Sequence, residues 1–461
     1  MPLFSFPSLI GRLALAAALS FTAAAAAQTA PPPQLSPEAA YAQALQPLTL
    51  TRTSVANWSE TELAALHIAV EQARLACAAR PAENFTGDAL VALARLCSLG
   101  QQWPAVSDAA GRYIHDRASQ PTPLLSQAYA LAIDAALHQH DQAAALAASQ
   151  TMLATLPYDT TADQAINETL RYLQLAYTAD ALRLYAAREP ILLAALRAEP
   201  TPISETATPS QLSRAALYAD GLAYAALEQF ARQPAEATAI VTTLDAALAT
   251  PSAALQPDDA IPIAAARRQY ALLGKPLPAI PITLSLYAPG ESPRINTDYG
   301  SSTVLLLFPP WCAQCVSMAQ SFMSTLFRLS DRNVHLDGLL AQDPPPVPAT
   351  PDPAMQPSGR PGNSRQGNAK KHASPAATTE SATASAPKSA AEQLRHTPTL
   401  VVPVQTLDQF SATDFPLLIA TDSKGIVRFL QPAPENALEP GGFLEQVAAR
   451  IAAQWPAQPQ H

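Results

Sequence analysis

A short apolar run followed at once by a cysteine pair is the feature that most restricts the fold of this chain. Residues 303–308 are apolar after the first threonine, and a run this short is typical of a strand buried on both faces. The chain then reaches Trp311, Cys312 and Cys315 and enters a segment, 316–329, with helical character. A strand, a two-cysteine turn and a helix indicate an α/β unit in which both sulfurs lie at the start of a helix.

The position of these cysteines predicts redox chemistry. At a helix start, Cys312 lies near unpaired backbone amides and the positive end of the helix dipole, which stabilise a thiolate and lower the pKa of the thiol. We therefore expect Cys312 to be the nucleophile and Cys315 to resolve a mixed disulfide. An inert structural disulfide and half of a zinc site are the two other interpretations. Zinc usually takes four ligands, and His335, His372 and His396 lie at no spacing that completes such a site, so no metal is predicted.

Further strands extend this α/β unit over residues 276–461. Strand-like segments and a terminal amphipathic helix follow in the order 281–287, 333–340, 417–421, 426–430 and 443–455. A stretch between 348 and 393 that lacks Leu, Ile, Val, Phe, Tyr and Trp interrupts this order. Because such a stretch cannot bury enough apolar surface to offset chain entropy, a disordered insertion is predicted over 344–396.

The α/β unit resembles the thioredoxin-like family, and within it the exported TlpA-type disulfide reductases. Residues 305–315 carry the strand and the Trp-Cys-x-x-Cys sequence, and residues 415–427 carry a proline, a strand and a glycine turn. The resemblance implies that Pro416 follows a cis peptide bond, which would bring residue 415 beside the sulfurs. It also implies that Trp311, Phe415 and Pro416 contact the substrate.

Two departures from the family pattern bear on turnover. Ala313 and Gln314 replace the Gly-Pro, Pro-Pro or Glu-Pro usually seen between the cysteines, a dipeptide that tunes the redox potential. Many relatives also keep a buried acid six residues before or after the first cysteine, where this chain has Leu306 and Met318. Without that acid, proton transfer from Cys315 needs water or another group, so slower turnover is expected.

The N-terminal half follows a helical pattern rich in alanine, the best helix former. Residues 93–105 align with 131–143, and 216–237 repeats the pattern loosely. Helix pairs at such a period predict an α-helical repeat domain over 59–272 that resembles a tetratricopeptide-like (TPR-like) solenoid, with generic helical hairpins as the alternative. A Pro- and Ala-rich segment, 28–58, precedes this domain.

Two further cysteines, Cys77 and Cys97, fall on apolar helix faces. Buried free thiols are one interpretation, and a structural disulfide between them is the other, because an oxidising compartment favours pairing. A simple antiparallel hairpin would leave Cys97 about 15 Å along the second helix from the point opposite Cys77. Pairing therefore requires a different arrangement of the two helices, which the intervening loop is long enough to allow.

The N-terminus indicates export. Arg12 precedes a run of small and apolar residues, 13–27, that ends in three alanines, which is typical of a signal peptide over residues 1–27. The run is shorter than the roughly 20 residues of a membrane span, and the rest of the sequence contains no stretch long and apolar enough to be one. We therefore expect an exported protein, periplasmic or secreted.

Together these features predict an exported thiol–disulfide oxidoreductase that exchanges disulfides with protein substrates through Cys312 and Cys315. Such exchange requires no cofactor, only a protein client and a redox partner that resets the pair. The helical repeats are expected to hold a protein partner, whereas the net charge of −9 argues against nucleic acid. The alternative is a non-enzymatic interaction or scaffold protein, with functional helical repeats and a degenerate thioredoxin-like domain.

Overall fold

The structure is a computed structural model, which describes several separate stretches of the chain. The predicted signal peptide, 1–27, and most of the predicted insertion, 344–388, lie outside the described residues. Among the described residues, no helix has both the length and the apolar character needed to cross a bilayer. The described residues are 35–52, 59–117, 122–199, 212–252, 255–287, 295, 301–330, 333–343, 389–434 and 437–456.

The N-terminal unit, as far as the structure describes it, consists of eleven α-helices and one short 3-10 helix. Local sequence explains where helices begin: Ser59 and Glu62 form a capping box, in which Glu62 accepts the N–H of Ser59 at 2.7 Å. The helices are Pro37–Thr51 (α1), Glu60–Ala78 (α2), Asp88–Leu99 (α3), Trp103–Arg117 (α4), Pro123–His138 (α5), Gln142–Thr155 (α6), Thr160–Ala176 (α7), Thr178–Arg197 (α8), Arg214–Phe230 (α9), Pro234–Leu248 (α10) and Pro257–Tyr270 (α11), with the 3-10 helix at Ala82–Asn84.

The predicted start of the helical unit at residue 59 is wrong, because α1 belongs to it. The hydroxyl of Ser36 accepts a backbone N–H of the first turn at 3.2 Å, and Pro37 occupies the first helical position. Ala40 and Ala44 are buried in the same core as α3 and α4. A segment rich in Pro and Ala was expected to lie outside the domain, yet Pro fits a first turn and Ala favours helix.

Three helical hairpins, α3–α4, α5–α6 and α9–α10, are joined by turns of the same geometry. The middle residue is Gln101, His140 or Arg232, with φ of 55°, 57° and 65° respectively. In each turn the next residue donates its N–H to the carbonyl five positions back, at 2.8–2.9 Å. The segments 93–105 and 131–143, which align in sequence, contain two of these turns. Equivalent helical hairpins therefore underlie the sequence similarity.

The C-terminal unit is a mixed sheet flanked by helices, so the chain is a helical unit followed by an α/β unit, as predicted. The six described strands lie in the order β1-β4-β3-β2-β5-β6, with β2, β3 and β4 parallel and the others antiparallel to their neighbours. The elements are Leu284–Ser285 (β1), Ser302–Phe308 (β2), Ala313–Ala319 (α12), Phe322–Ser330 (α13), Val334–Ala341 (β3), Ala390–Gln393 (α14), Thr399–Val402 (β4), Gln405–Gln409 (α15), Leu417–Thr421 (β5), Val427–Pro432 (β6) and Phe443–Gln454 (α16).

Three details of this unit differ from the sequence prediction. The helix expected over 316–329 is two helices, α12 and α13. β4 was not predicted, because four residues are too few to show a period of two. The predicted insertion also extends too far, since its described part, 389–396, is folded. Ser389 and Glu392 form a capping box on α14, and Leu394 is fully buried.

Side chains of the sheet alternate between two apolar cores. Leu306 of β2 packs on the side of α12, α13 and α16, whereas Leu305 packs on the opposite side. The first core continues into the helical unit, where Phe230 of α9 contacts Phe429 of β6 with ring centroids 5.3 Å apart. The two units therefore share one hydrophobic core.

Gly338 of β3 leaves the space into which Phe322 of α13 packs. A Cβ at position 338 would lie 2.6 Å from Cε2 of Phe322 and 2.9 Å from Oγ1 of Thr399, and both of these residues are buried. We expect Gly338→Ala to lower the free energy of unfolding by about 1–3 kcal/mol, measured by urea denaturation. Gly111→Ala in α4 is the control, because a Cβ there meets nothing within 4 Å. Equal stability of Gly338→Ala and the wild type would contradict this packing argument.

A buried charge network joins α7, α8 and α9. The fully buried guanidinium of Arg188 donates to Asp163 at 2.5 Å and to Asp220 at 2.6 Å. It also donates to Asn167 at 2.8 Å and to the hydroxyl of Tyr158 at 2.5 Å. Burial raises the pKa of Asp220 to about 7, although Arg188 opposes this shift. Folding therefore favours the protonated form of Asp220.

This raised pKa predicts a pH-dependent stability. Asp220 binds its proton more tightly in the folded than in the unfolded protein. The stability that this proton gives the fold is therefore fully present below about pH 4 and is lost as the pH rises to about 7. We expect Asp220→Asn, which imitates the protonated side chain, to flatten this slope and to be more stable than the wild type by about 1–3 kcal/mol at pH 8. Urea denaturation of both proteins from pH 4 to pH 8 measures the difference. Parallel curves for the two proteins would rule out the titration of Asp220.

Candidate active site

β2 and α12 determine where the two cysteines lie. β2 is buried along its whole length and ends at Phe308, after which the chain leaves the sheet and turns into α12. Cys312 is the N-cap of α12, and its Sγ accepts the N–H of Cys315 at 3.3 Å. Cys312 and Cys315 form a disulfide, with their Cα atoms 5.3 Å apart. The sulfur of Cys312 is thus held against a free amide of the first helical turn.

The two cysteines differ in their access to solvent. Cys315 is 1% exposed and belongs to the core that the two units share, whereas Cys312 is only partly buried. Trp311, directly before it, is 68% exposed. An attacking thiolate from solvent therefore reaches the disulfide more easily at Cys312 than at Cys315.

Strand pairing brings a second segment to the same edge of the sheet. Leu307 of β2 lies opposite Leu417 of β5 in an antiparallel pair, so the residues that precede β5 lie near the turn that follows β2. Phe415 contacts Trp311 edge to face, with ring centroids 5.4 Å apart. The Phe415–Pro416 peptide bond is cis. The structure thus brings together Trp311, Phe415 and Pro416, which were assigned to one site from the sequence.

The two positions at which the sequence lacks an acid are apolar in the structure as well. Leu306 is fully buried, and Met318 packs against the same core. Burial raises the pKa of Asp337 in β3 to about 7, and no motif in the sequence marks this residue. Asp337 lies opposite Leu305 in the parallel pair, and therefore on the other face of the sheet from Cys315. Among the described residues, no group of three or more His, Cys, Asp or Glu is arranged to hold a metal ion.

The second cysteine pair lies apart from this site, in the helical unit. Cys77 and Cys97 form a disulfide between α2 and α3, with Cα atoms 5.1 Å apart, and both are buried. The two helices do not form a simple hairpin, because their C-terminal ends meet. A Cβ on Gly100, just after α3, would lie 2.5 Å from the backbone nitrogen of Arg74 in α2. With the C-terminal ends of α2 and α3 together, Cys77 and Cys97 avoid the separation of about 15 Å that a simple hairpin would impose.

Comparison of the chain with protein-family models, with curated proteins and with solved structures gives no match. The function is therefore inferred from the geometry of the site.

The unequal exposure predicts unequal reactivity of the reduced thiols. After mild reduction we expect iodoacetamide to alkylate Cys312 at least about tenfold faster than Cys315, because the reactive thiolate must be accessible. Quenched time points followed by peptide mass spectrometry measure both rates, and Cys77 and Cys97 serve as buried controls. Faster alkylation of Cys315 would show that the roles of the two cysteines are reversed.

Proposed function

We propose that the protein is an exported thiol–disulfide oxidoreductase of thioredoxin-like fold that acts on protein clients. One observation carries the proposal: the Cys312–Cys315 disulfide lies at the N-terminus of α12, with Cys312 towards the surface and Cys315 in the core. An attackable first sulfur and a sheltered second one are what a two-step exchange needs. The contact between Trp311 and Phe415 supports the same site, since it gives the client an apolar surface beside Cys312.

The exchange proceeds in two displacements. In the reduced protein, the thiolate of Cys312 attacks a client disulfide, a bond forms between Cys312 Sγ and one client sulfur, and the other client sulfur leaves as a thiolate and takes up a proton. The thiolate of Cys315 then attacks Cys312 Sγ and releases the second client thiol. The client gains two electrons, and the pair becomes the disulfide seen here. A dithiol partner returns the pair to the reduced state, and the reverse sequence oxidises a client dithiol.

Proton transfer is the step for which this site is least equipped. Cys315 must lose its proton before it attacks, and Leu306 and Met318 occupy the two positions at which many thioredoxin-like proteins keep a buried acid. The proton of Cys315 therefore passes to solvent or to the leaving client sulfur. This makes resolution of the mixed disulfide slower than its formation, so the mixed disulfide accumulates during turnover.

The helical unit gives the proposed enzyme a second surface. Its equivalent helical hairpins support a repeat domain of tetratricopeptide-like type, whose role is to hold a protein partner. Residues 1–27 support export to the periplasm or out of the cell. In an oxidising compartment both cysteine pairs can persist as disulfides.

Reduction of insulin disulfides by dithiothreitol tests the proposal. We expect the wild type to accelerate the reaction and Cys312→Ser to return it to the uncatalysed rate, because no nucleophile remains. Gly111→Ala is a matched control in the helical unit and should keep the wild-type rate. Insulin turbidity and released thiols are followed in parallel. Equal rates for the wild type and Cys312→Ser would overturn the proposal and favour the non-enzymatic interaction protein.

A trapping variant identifies the client. Cys315→Ser cannot release a mixed disulfide, so we expect it to accumulate covalent adducts that are visible on non-reducing gels and disappear on reduction. Cys312→Ser, which keeps the buried thiol alone, is the matched control and should trap nothing. Adducts of equal yield in both variants would mean that Cys312 is not the nucleophile.

A further inference from the structure

The segment between α15 and β5, residues 411–416, forms one side of the candidate site. It carries Phe415, whose ring contacts Trp311 with centroids 5.4 Å apart. Among the described residues, the backbone N–H groups of Thr413, Asp414 and Phe415 have no backbone acceptor. The position of Phe415 therefore depends on how the two ends of this segment are held.

The sheet holds the second end of the segment, and the helical unit holds the first. Pro416 accepts the N–H of Ala433 at 2.8 Å, and β5 begins at the next residue. Ser411 is buried and has a φ of 49°, an uncommon conformation that its surroundings must maintain. In α11, Nε of Arg268 donates to Oγ of Ser411 at 2.8 Å, and Nε2 of Gln269 donates to the carbonyl of Ser411 at 2.8 Å. Two adjacent side chains of the helical unit therefore fix the first end.

The short helix α15 contributes to this first end as well. The N–H of Ser411 donates to the carbonyl of Asp408 at 3.0 Å, and the N–H of Ala412 donates to the carbonyl of Leu407 at 2.9 Å. These two bonds hold the segment only relative to α15, a helix of five residues. The bond from Arg268 joins the segment to the helical unit, and a hydrogen bond from a charged donor is roughly twice as strong as a neutral one. Arg268 is therefore the contact whose loss should loosen the segment most.

We propose that Arg268 is a positioning residue for the surface that binds the client. It acts through Ser411, which fixes the segment that presents Phe415 to Trp311. The inference rests on the proposed function, because that function assigns the contact between Trp311 and Phe415 to client binding. Cys312 is placed by β2 and α12 instead, so the reactivity of its thiolate does not depend on Arg268. The helical unit therefore acts on the binding of the client rather than on the exchange itself.

Initial rates of insulin reduction at varied insulin concentration, with dithiothreitol in constant excess, separate KM from kcat. We expect Arg268→Ala to raise KM about fivefold, equivalent to about 1 kcal/mol, and to keep kcat within about twofold of the wild type. Arg267→Ala is the matched control, because it removes the neighbouring arginine, which bonds to Asp245 and Tyr218 inside the helical unit. It should keep the wild-type KM. An unchanged KM for Arg268→Ala, or an equal rise for Arg267→Ala, would overturn the proposal.

Ser411→Ala tests whether Arg268 acts through Ser411. This variant removes the hydroxyl that Arg268 contacts and keeps the carbonyl that Gln269 contacts. We expect it to raise KM as much as Arg268→Ala does. The double variant should raise KM no further, since both substitutions remove the same hydrogen bond. Additive effects of the two substitutions would mean that Arg268 acts elsewhere, and this result would overturn the proposal.

Fluorine NMR of the full-length protein labelled with 5-fluorotryptophan tests the same contact without catalysis. The resonance of Trp311 is assigned by its loss in Trp311→Phe. Phe415→Ala should shift this resonance, because the ring of Phe415 lies beside the indole. Arg268→Ala should shift it in the same direction, and Arg267→Ala should leave it in place. A Trp311 resonance that Arg268→Ala does not move would overturn the proposal. A wild type that fails to reduce insulin would overturn the proposed function, and the resonance would still decide whether Arg268 positions Phe415.

Discussion

The burial of β2 on both faces is the constraint on which the rest of the α/β unit depends. All seven of its residues are buried, and the five from Val304 to Phe308 belong alternately to two cores. A shift of β2 by one residue would move each apolar side chain into the opposite core, where different neighbours surround it. The strand therefore fixes the point at which the chain leaves the sheet towards Cys312. Its pairing with β5 fixes Phe415 at the same edge, so both halves of the candidate site derive their positions from one strand.

The helical unit is joined to this sheet by more than a linker. Beyond the contact between Phe230 and Phe429, Arg450 of α16 donates to the carbonyl of Leu175 in α7 at 3.3 Å, and Arg268 of α11 donates to Ser411 at 2.8 Å. The connecting chain itself bonds to the β5–β6 hairpin, where Gly274 donates to Val427 at 2.8 Å. The helices therefore form part of the fixed surroundings of the cysteine pair.

The sequence predicts features that depend on local pattern. The apolar run at 303–308 predicts β2 to within one residue, because a strand buried on both faces leaves a clear composition signal. The strong bias of residues 59–272 likewise predicts helices. The positions of Cys312 and Cys315 at the start of a helix predict different roles for the two cysteines. Their unequal burial is consistent with this prediction.

Features that depend on distant contacts could not be predicted in this way. β4 owes its existence to pairing with β3 and β1, and its four residues carry no pattern of their own. The meeting of Cys77 and Cys97 depends on how two helices cross, which their periodicity does not encode. Asp337 lies in an ordinary strand, and only the sheet register shows that it faces away from Cys315. Likewise, α1 belongs to the helical unit because Ala40 and Ala44 pack in the same core as α3 and α4.

The spacing of the cysteines has a consequence for how the chain acquires its native pairing. Four cysteines allow three pairings, but the observed disulfides join residues only 20 and 3 positions apart. Closing either short loop costs less chain entropy than joining Cys97 to Cys312 across most of the protein. Cys77 and Cys97 also leave the ribosome long before Cys312 exists. The short loop and the order of synthesis therefore both favour pairing of Cys77 with Cys97 over pairing of either with Cys312 or Cys315.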